Sequence, residues 1–173
     1  MLAQDQLIQF PRTITGIQTL DLNRAIDSIF IIQALLVAIV KDCTISVEME
    51  RDIIKLKQEI IFLENTDQVT DLNFSHIDNQ FYCVLSNAKG FQRLASIIVK
   101  EKSNIDRIIR LFVQRQESYK LIINVYKNVL NGIQFKNTVT ATNALLCLAK
   151  ILEEHVVSAE QKYPEYFQQK RSN

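Results

Sequence analysis

The chain is poor in the residues that let a backbone turn sharply: its 173 residues hold only three glycines (Gly16, Gly90, Gly132) and two prolines (Pro11, Pro164). Phosphate-cradling loops, nucleophile elbows and dinucleotide-binding turns all need glycine where the backbone bends tightly or lies against a ligand. The sequence therefore gives those chemistries no support. Tryptophan is absent, and histidine occurs only at His76 and His155. Neither fits HExxH or ExxH: the residue three before His155 is Leu152, which excludes the carboxylate and histidine ligand pattern of a di-metal bundle. His155 is read as a solvated residue of the last helix, and Cys147, eight positions before it, is too distant along that helix to pair with it as a nucleophile.

Cys43, Cys83 and Cys147 form no CxxC pair, so they do not converge on a zinc or redox centre and read as reduced core residues. The segment MLAQDQLIQFPR carries an acid before any base and no sustained apolar stretch, unlike a secretory signal. Both features lead to the expectation of a cytoplasmic protein. The one membrane-like run, Ile29 to Val40, is twelve residues long with Gln33 inside it, whereas a spanning helix needs about 20. No transmembrane segment is expected; a run that is apolar on every side predicts a helix at the centre of a bundle.

What the chain does have is helical periodicity. Its 47% apolar and 23% charged residues suit an ordered globular domain. The fold expected is all-α: a single-domain, up-and-down bundle of about five helices over residues 21–163, with an N-terminal arm at 1–20 and a C-terminal tail at 164–173. Asp21 is the expected cap of the first helix and Ser46 of the second, which carries the stripe Met49, Ile53, Leu56, Ile60 and Leu63. The polar run from Glu64 to Asn79 reads as a long loop, with Ser75 and Asp78 as a capping box for a third helix from about His76. Gly90 interrupts or bends that helix. A new start follows at Ser103 or Asn104, and a long seam runs from Ile105 to Leu130, spaced by threes and fours except at Arg115 and Gln116. Gly132 falls where a left-handed cap would end it. Thr138 or Thr140 begins the last helix and Pro164 marks its end, and Tyr163, Tyr166 and Phe167 around that proline are expected to dock on the bundle.

Charge is unevenly distributed. Residues 1–90 carry 12 acids and 7 bases, residues 91–131 carry 3 acids and 8 bases, and the remainder is nearly balanced, so the overall charge of +1 conceals an acidic front and a basic middle. The bases are Arg93, Lys100, Lys102, Arg107, Arg110, Arg115, Lys120 and Lys127. Arg93, Lys100 and Arg107 are seven apart and share a helix face if the register holds. Part of this charge is expected to pair internally with the acidic helices.

Asp67, Asp71, Asn73, His76 and Asp78 could supply ligands to a hard cation, but the spacing and central glycine of an EF-hand are absent, so turn and capping roles are expected instead. No cofactor, metal or enzymatic activity is predicted, and no segment carries a family signature. The expected function is that of a non-enzymatic interaction or assembly protein presenting helical surfaces to a protein partner, with self-association as a homo-oligomer in view. The interaction residues to test are Arg93, Lys100, Arg107, Arg110 and Arg115. The alternative is a small accessory subunit that binds the RNA or DNA backbone through a basic face spanning residues 93–127.

Overall fold

In the computed structural model, which describes residues 19–42, 45–66, 68–87, 92–112 and 115–168, the helix starts follow the capping chemistry. The Asp21 carboxylate accepts from the Arg24 N–H at 3.0 Å and opens α1 (Leu22–Lys41). The Ser46 hydroxyl accepts from Met49 N–H at 3.1 Å and opens α2 (Val47–Glu64). Each satisfies a donor that the first helical turn leaves without an internal partner. Helix α3 (Asp71–Ser86) begins earlier than His76, because Thr70 and Asn73, not Ser75 and Asp78, form the reciprocal capping box. The expected long loop thus shortens to the stretch between Glu64 and Asp71. Asp71, Asn73, His76 and Asp78 ride on a helix, while Asp67 lies outside the described residues.

Helix α4 (Gln92–Phe112) passes without a break through Ser103 and Asn104, where a new start was expected. The hydroxyls of Ser96 and Ser103 donate back to the carbonyls of Arg93 and Lys100, at 2.8 and 2.7 Å, so both serines are absorbed into the helix instead of capping one. The division falls later. Helix α5 (Arg115–Gln134) starts where the apolar spacing faltered, and α6 (Thr138–Lys162) follows, capped by Asn137, with a short 3₁₀ turn at Pro164–Tyr166. Among the described residues there are six helices, one more than the five or so expected, and no strand. Gly90 lies outside the described residues.

Gly132 is not the cap of α5. The chain leaves α5 through a Schellman turn in which Asn137 N–H donates to the Gly132 carbonyl at 2.7 Å and Lys136 N–H to that of Ile133 at 3.0 Å. Lys136 takes the left-handed position, at φ 53°. Gly132 is needed for closeness: a Cβ there would come within 2.6 Å of the Ala141 backbone nitrogen on α6.

Pairings between helices fix their directions. Tyr119 meets Asp71 and Tyr126 meets Asp78, so α5 runs parallel to α3. Lys57 meets Gln134 and Lys127 meets Glu64, so α2 runs antiparallel to α5. Gly132 against Ala141 and Ser118 against His155 make α6 antiparallel to α5 as well. For these four helices the directions are consistent with the up-and-down arrangement expected. Helix α1 packs chiefly against α6 and α4 rather than against its sequence neighbour α2.

The core includes Phe81, Leu36, Ile53, Ile60, Ile98, Ile108, Tyr119 and Tyr126, all almost fully enclosed. Phe74 stacks on Tyr119 at 4.0 Å between ring centres and Phe81 on Tyr126 at 3.9 Å, repeating one contact after seven residues. Phe167 docks as expected: it is buried, and Leu20 N–H donates to the Tyr166 carbonyl while Gln168 N–H donates to that of Leu20, both at 2.8 Å. Tyr166 stays largely exposed.

Two expectations about burial fail. Cys83 and Cys147 are exposed and Cys43 lies outside the described residues, so the cysteines do not read as core. Helix α1 is not central either. It buries Ala25, Ile29, Ile32, Leu36, Ile39 and Val40 on one side, while Phe30, Ile31, Ala34 and Ala38 face outward. It is also the one helix among the described residues long and apolar enough to cross a membrane by length and composition.

Candidate functional site

The basic face foreseen on the middle of the chain has one coherent part, and it lies on α4. Because this helix is continuous, Arg93, Lys100 and Arg107 fall within an arc of about 40° and Arg110 lies about 60° further round. Arg93, Lys100 and Arg110 are exposed and Arg107 is half-buried. From first to last they span about 26 Å of helix axis. Ser96 and Ser103 fill the arc between them, and Val99, at 67% exposure, lies just beyond Arg110.

The opposite side of α4 explains why the arc faces outward. Lys102 is buried and forms ion pairs with Asp78 of α3 and, at 2.6 Å, with Asp106 of its own helix. Tyr126 donates to Asp78 at 2.5 Å, and the Lys102 ammonium lies 5.5 Å from the centre of the Tyr82 ring. Burial alone would lower the Lys102 pKa, but the two carboxylates outweigh it and hold the ammonium more firmly protonated than usual. Burial pushes the Asp78 carboxyl up, with Lys102 and Tyr126 acting against that rise. Burial also raises both phenols well above their usual range, and the charge of Asp78 adds to it, so Tyr82 and Tyr126 remain neutral donors. Toward α1, Ser28 donates to Glu101 at 2.8 Å and accepts from Asn104 at 3.1 Å. These two clasps fix the rotation of α4 about its axis. They also direct its two acids, Glu101 and Asp106, toward Ser28 and Lys102.

The other expected bases separate. Arg115 opens α5 and is not part of the α4 arc; its side chain lies outside the described residues. Arg110 approaches Asp106 at 4.0 Å. Lys127 pairs with Glu64 of α2 at 2.6 Å, so Lys102 and Lys127 both meet acids of the front segment internally. The face foreseen over 93–127 is therefore not continuous. Tyr119 and Tyr126, which interleave with the bases in sequence, are enclosed in the core and offer no ring to a nucleobase.

Sequence reasoning missed the Lys102, Asp78 and Tyr126 cluster. The sequence alone groups Lys102 with the other bases of the middle segment and Asp78 with a capping box. The available signal was the i, i+4 series Phe74, Asp78, Tyr82, which puts a carboxylate in the middle of an apolar helix face. A shallow cleft beside this cluster is lined by Phe74, Tyr82, Arg110 and Ile122, and its polar groups already satisfy one another.

His155 is half-buried rather than solvated: Ser118 lies 3.3 Å from its Nε2, its Nδ1 is enclosed, and burial lowers its pKa. His76 lies exposed, 2.9 Å from Glu59. No cluster of three or more His, Cys, Asp or Glu able to hold a metal ion occurs among the described residues. No protein-family model, curated protein or solved structure matches this chain.

Proposed function

We propose that the protein is a non-enzymatic helical interaction module whose α4 arc docks on an acidic surface of a protein partner. The observation that carries this reading is the placement of Arg93, Lys100 and Arg107 on one arc of α4, the first two exposed and the third half-buried, with both acids of α4 engaged by Ser28 and Lys102. Such an arc steers an oppositely charged surface during encounter and fixes its orientation on contact. Holding the helix through Lys102 and Ser28 means that little is left to order on binding, which lowers the entropic cost of association.

The test is capture with mass spectrometry to identify the partner, followed by titration of the purified pair with the triple variant Arg93→Glu, Lys100→Glu, Arg107→Glu. Affinity is expected to fall by about tenfold or more and to lose much of its salt dependence, with helicity by circular dichroism unchanged. Unchanged affinity removes the α4 arc from the interface. Titration against duplex and single-stranded nucleic acid completes the test: saturable binding to either, abolished in the triple variant, transfers the function to the nucleic-acid alternative.

A further inference from the structure

Helix α1 carries two apolar seams, and the fold uses one. The inner seam, Ala25, Ile29, Ile32, Leu36 and Ile39, advances by alternating steps of four and three and packs into the bundle. The outer series, Asp27, Ile31, Ala34, Ala38 and Lys41, has the same alternation, displaced by two residues and hence about 200° around the helix. All five outer positions are exposed, with Ile31 at 38% and the flanking Phe30 at 66%. A three-and-four alternation is the seam along which two helices pack side by side.

The exposed face that is symmetric about Ala34 is Asp27, Phe30, Ala34, Ala38 and Lys41, with Ile31 flanking it opposite the half-buried Val37. Asp27 and Lys41 lie seven residues to either side of it, and Phe30 and Ala38 lie four to either side. When two copies of α1 are laid antiparallel across a two-fold axis at Ala34, each residue meets its counterpart equally far on the other side. Asp27 then faces Lys41 of the second copy at both ends, Phe30 seats over Ala38, and Ala34 meets Ala34, where two small side chains let the helices approach closely. An isologous contact requires one patch to match itself in this way. Neither Asp27 nor Lys41 forms an ion pair among the described residues.

We infer that the protein forms a two-fold homodimer through antiparallel α1 helices, with Ala34 on the axis and two Asp27 to Lys41 pairs closing the ends. This surface is separate from the α4 arc, and the two stand or fall independently. A single helix pair buries less than the roughly 1,200 Å² at which stable complexes begin, so the dimer is expected to be reversible and dependent on concentration.

Sedimentation velocity over a concentration series tests the dimer, and charge exchange tests its register. Ala34→Glu, Asp27→Lys and Lys41→Asp are each expected to shift the protein to monomer with unchanged helicity. The double variant Asp27→Lys, Lys41→Asp restores the dimer, because each exchanged charge again meets its opposite. In a background with Cys43, Cys83 and Cys147 all replaced by Ser, Ala34→Cys is expected to form an intermolecular disulfide under mild oxidation, and Asn23→Cys is not. The α4 triple variant leaves the dimer intact. A monomer at all concentrations, a dimer indifferent to Ala34→Glu, a double variant that fails to recover, or flotation of a monomer with neutral lipid vesicles through this face would each overturn the proposal.

Discussion

Lys102 is the residue whose environment departs furthest from its type, since a lysine is almost never enclosed unless its charge is met. Here Asp78 and Asp106 meet it from two helices, and Tyr126 satisfies a further oxygen of Asp78. Such a cluster adds little net stability compared with a well-packed apolar set, because desolvating the charges offsets their attraction; breaking it leaves an uncompensated buried charge. Lys102→Met is therefore expected to cost about 3–5 kcal/mol in urea denaturation, and Asp78→Asn added to it to recover a substantial part of that loss. A Lys102→Met chain as stable as the parent would show that Asp78 does not carry its charge in the fold. The paired carboxylates thus serve to position α4 more than to strengthen it.

At the scale of elements, the sequence is legible where one signal decides and illegible where two compete. Asp21 and Ser46 are local caps followed at once by apolar periodicity, and α1 and α2 start where they indicate. Ser75 and Asp78 also resemble a capping box, but Thr70 and Asn73 form one a turn or more earlier and extend α3, releasing Asp78 to the core. Ser103 and Asn104 look like a start, yet the apolar face of α4 continues past them and packing outweighs a weak helix preference. The three cationic positions of the candidate site were readable from spacing alone. Their outward orientation was not, because it depends on partners at Ser28 and Asp78 that are distant in sequence. Glycine offers the sharpest contrast. Gly132 reads as a cap but serves a close approach, and the cap position itself holds Lys136. Gly132→Ala is expected to destabilise by about 1–3 kcal/mol, because the added Cβ meets backbone that cannot rotate aside. Adding Ala141→Gly should not rescue it, since the nearest atom is the Ala141 nitrogen. Lys136→Gly is expected to stabilise by about 1 kcal/mol, relieving a side chain at positive φ. Thermal and urea unfolding of the variants read both signs.

For the whole molecule, the two ends of the described chain are joined. Leu20, just before α1, exchanges two backbone hydrogen bonds with the strand-like residues after α6 and shares the core with Phe167. This closure holds the start of α1 against the end of α6 and so steadies the helix whose outer seam is proposed to pair with a second copy. Truncation after Lys162 removes Phe167 and both hydrogen bonds and uncovers Leu20. The lost apolar burial of the phenylalanine alone is about 2–3 kcal/mol, and exposure of Leu20 adds to it. A fall in unfolding free energy of about 3 kcal/mol is therefore expected, with nearly all helicity retained because α6 ends before the cut. A tail that served only as a ligand for another protein would leave stability untouched and remove association. Phe167→Ala separates the two cases without truncation: it deletes the buried ring and leaves both backbone hydrogen bonds in place, so a stability loss close to that of the truncation assigns the closure to the ring.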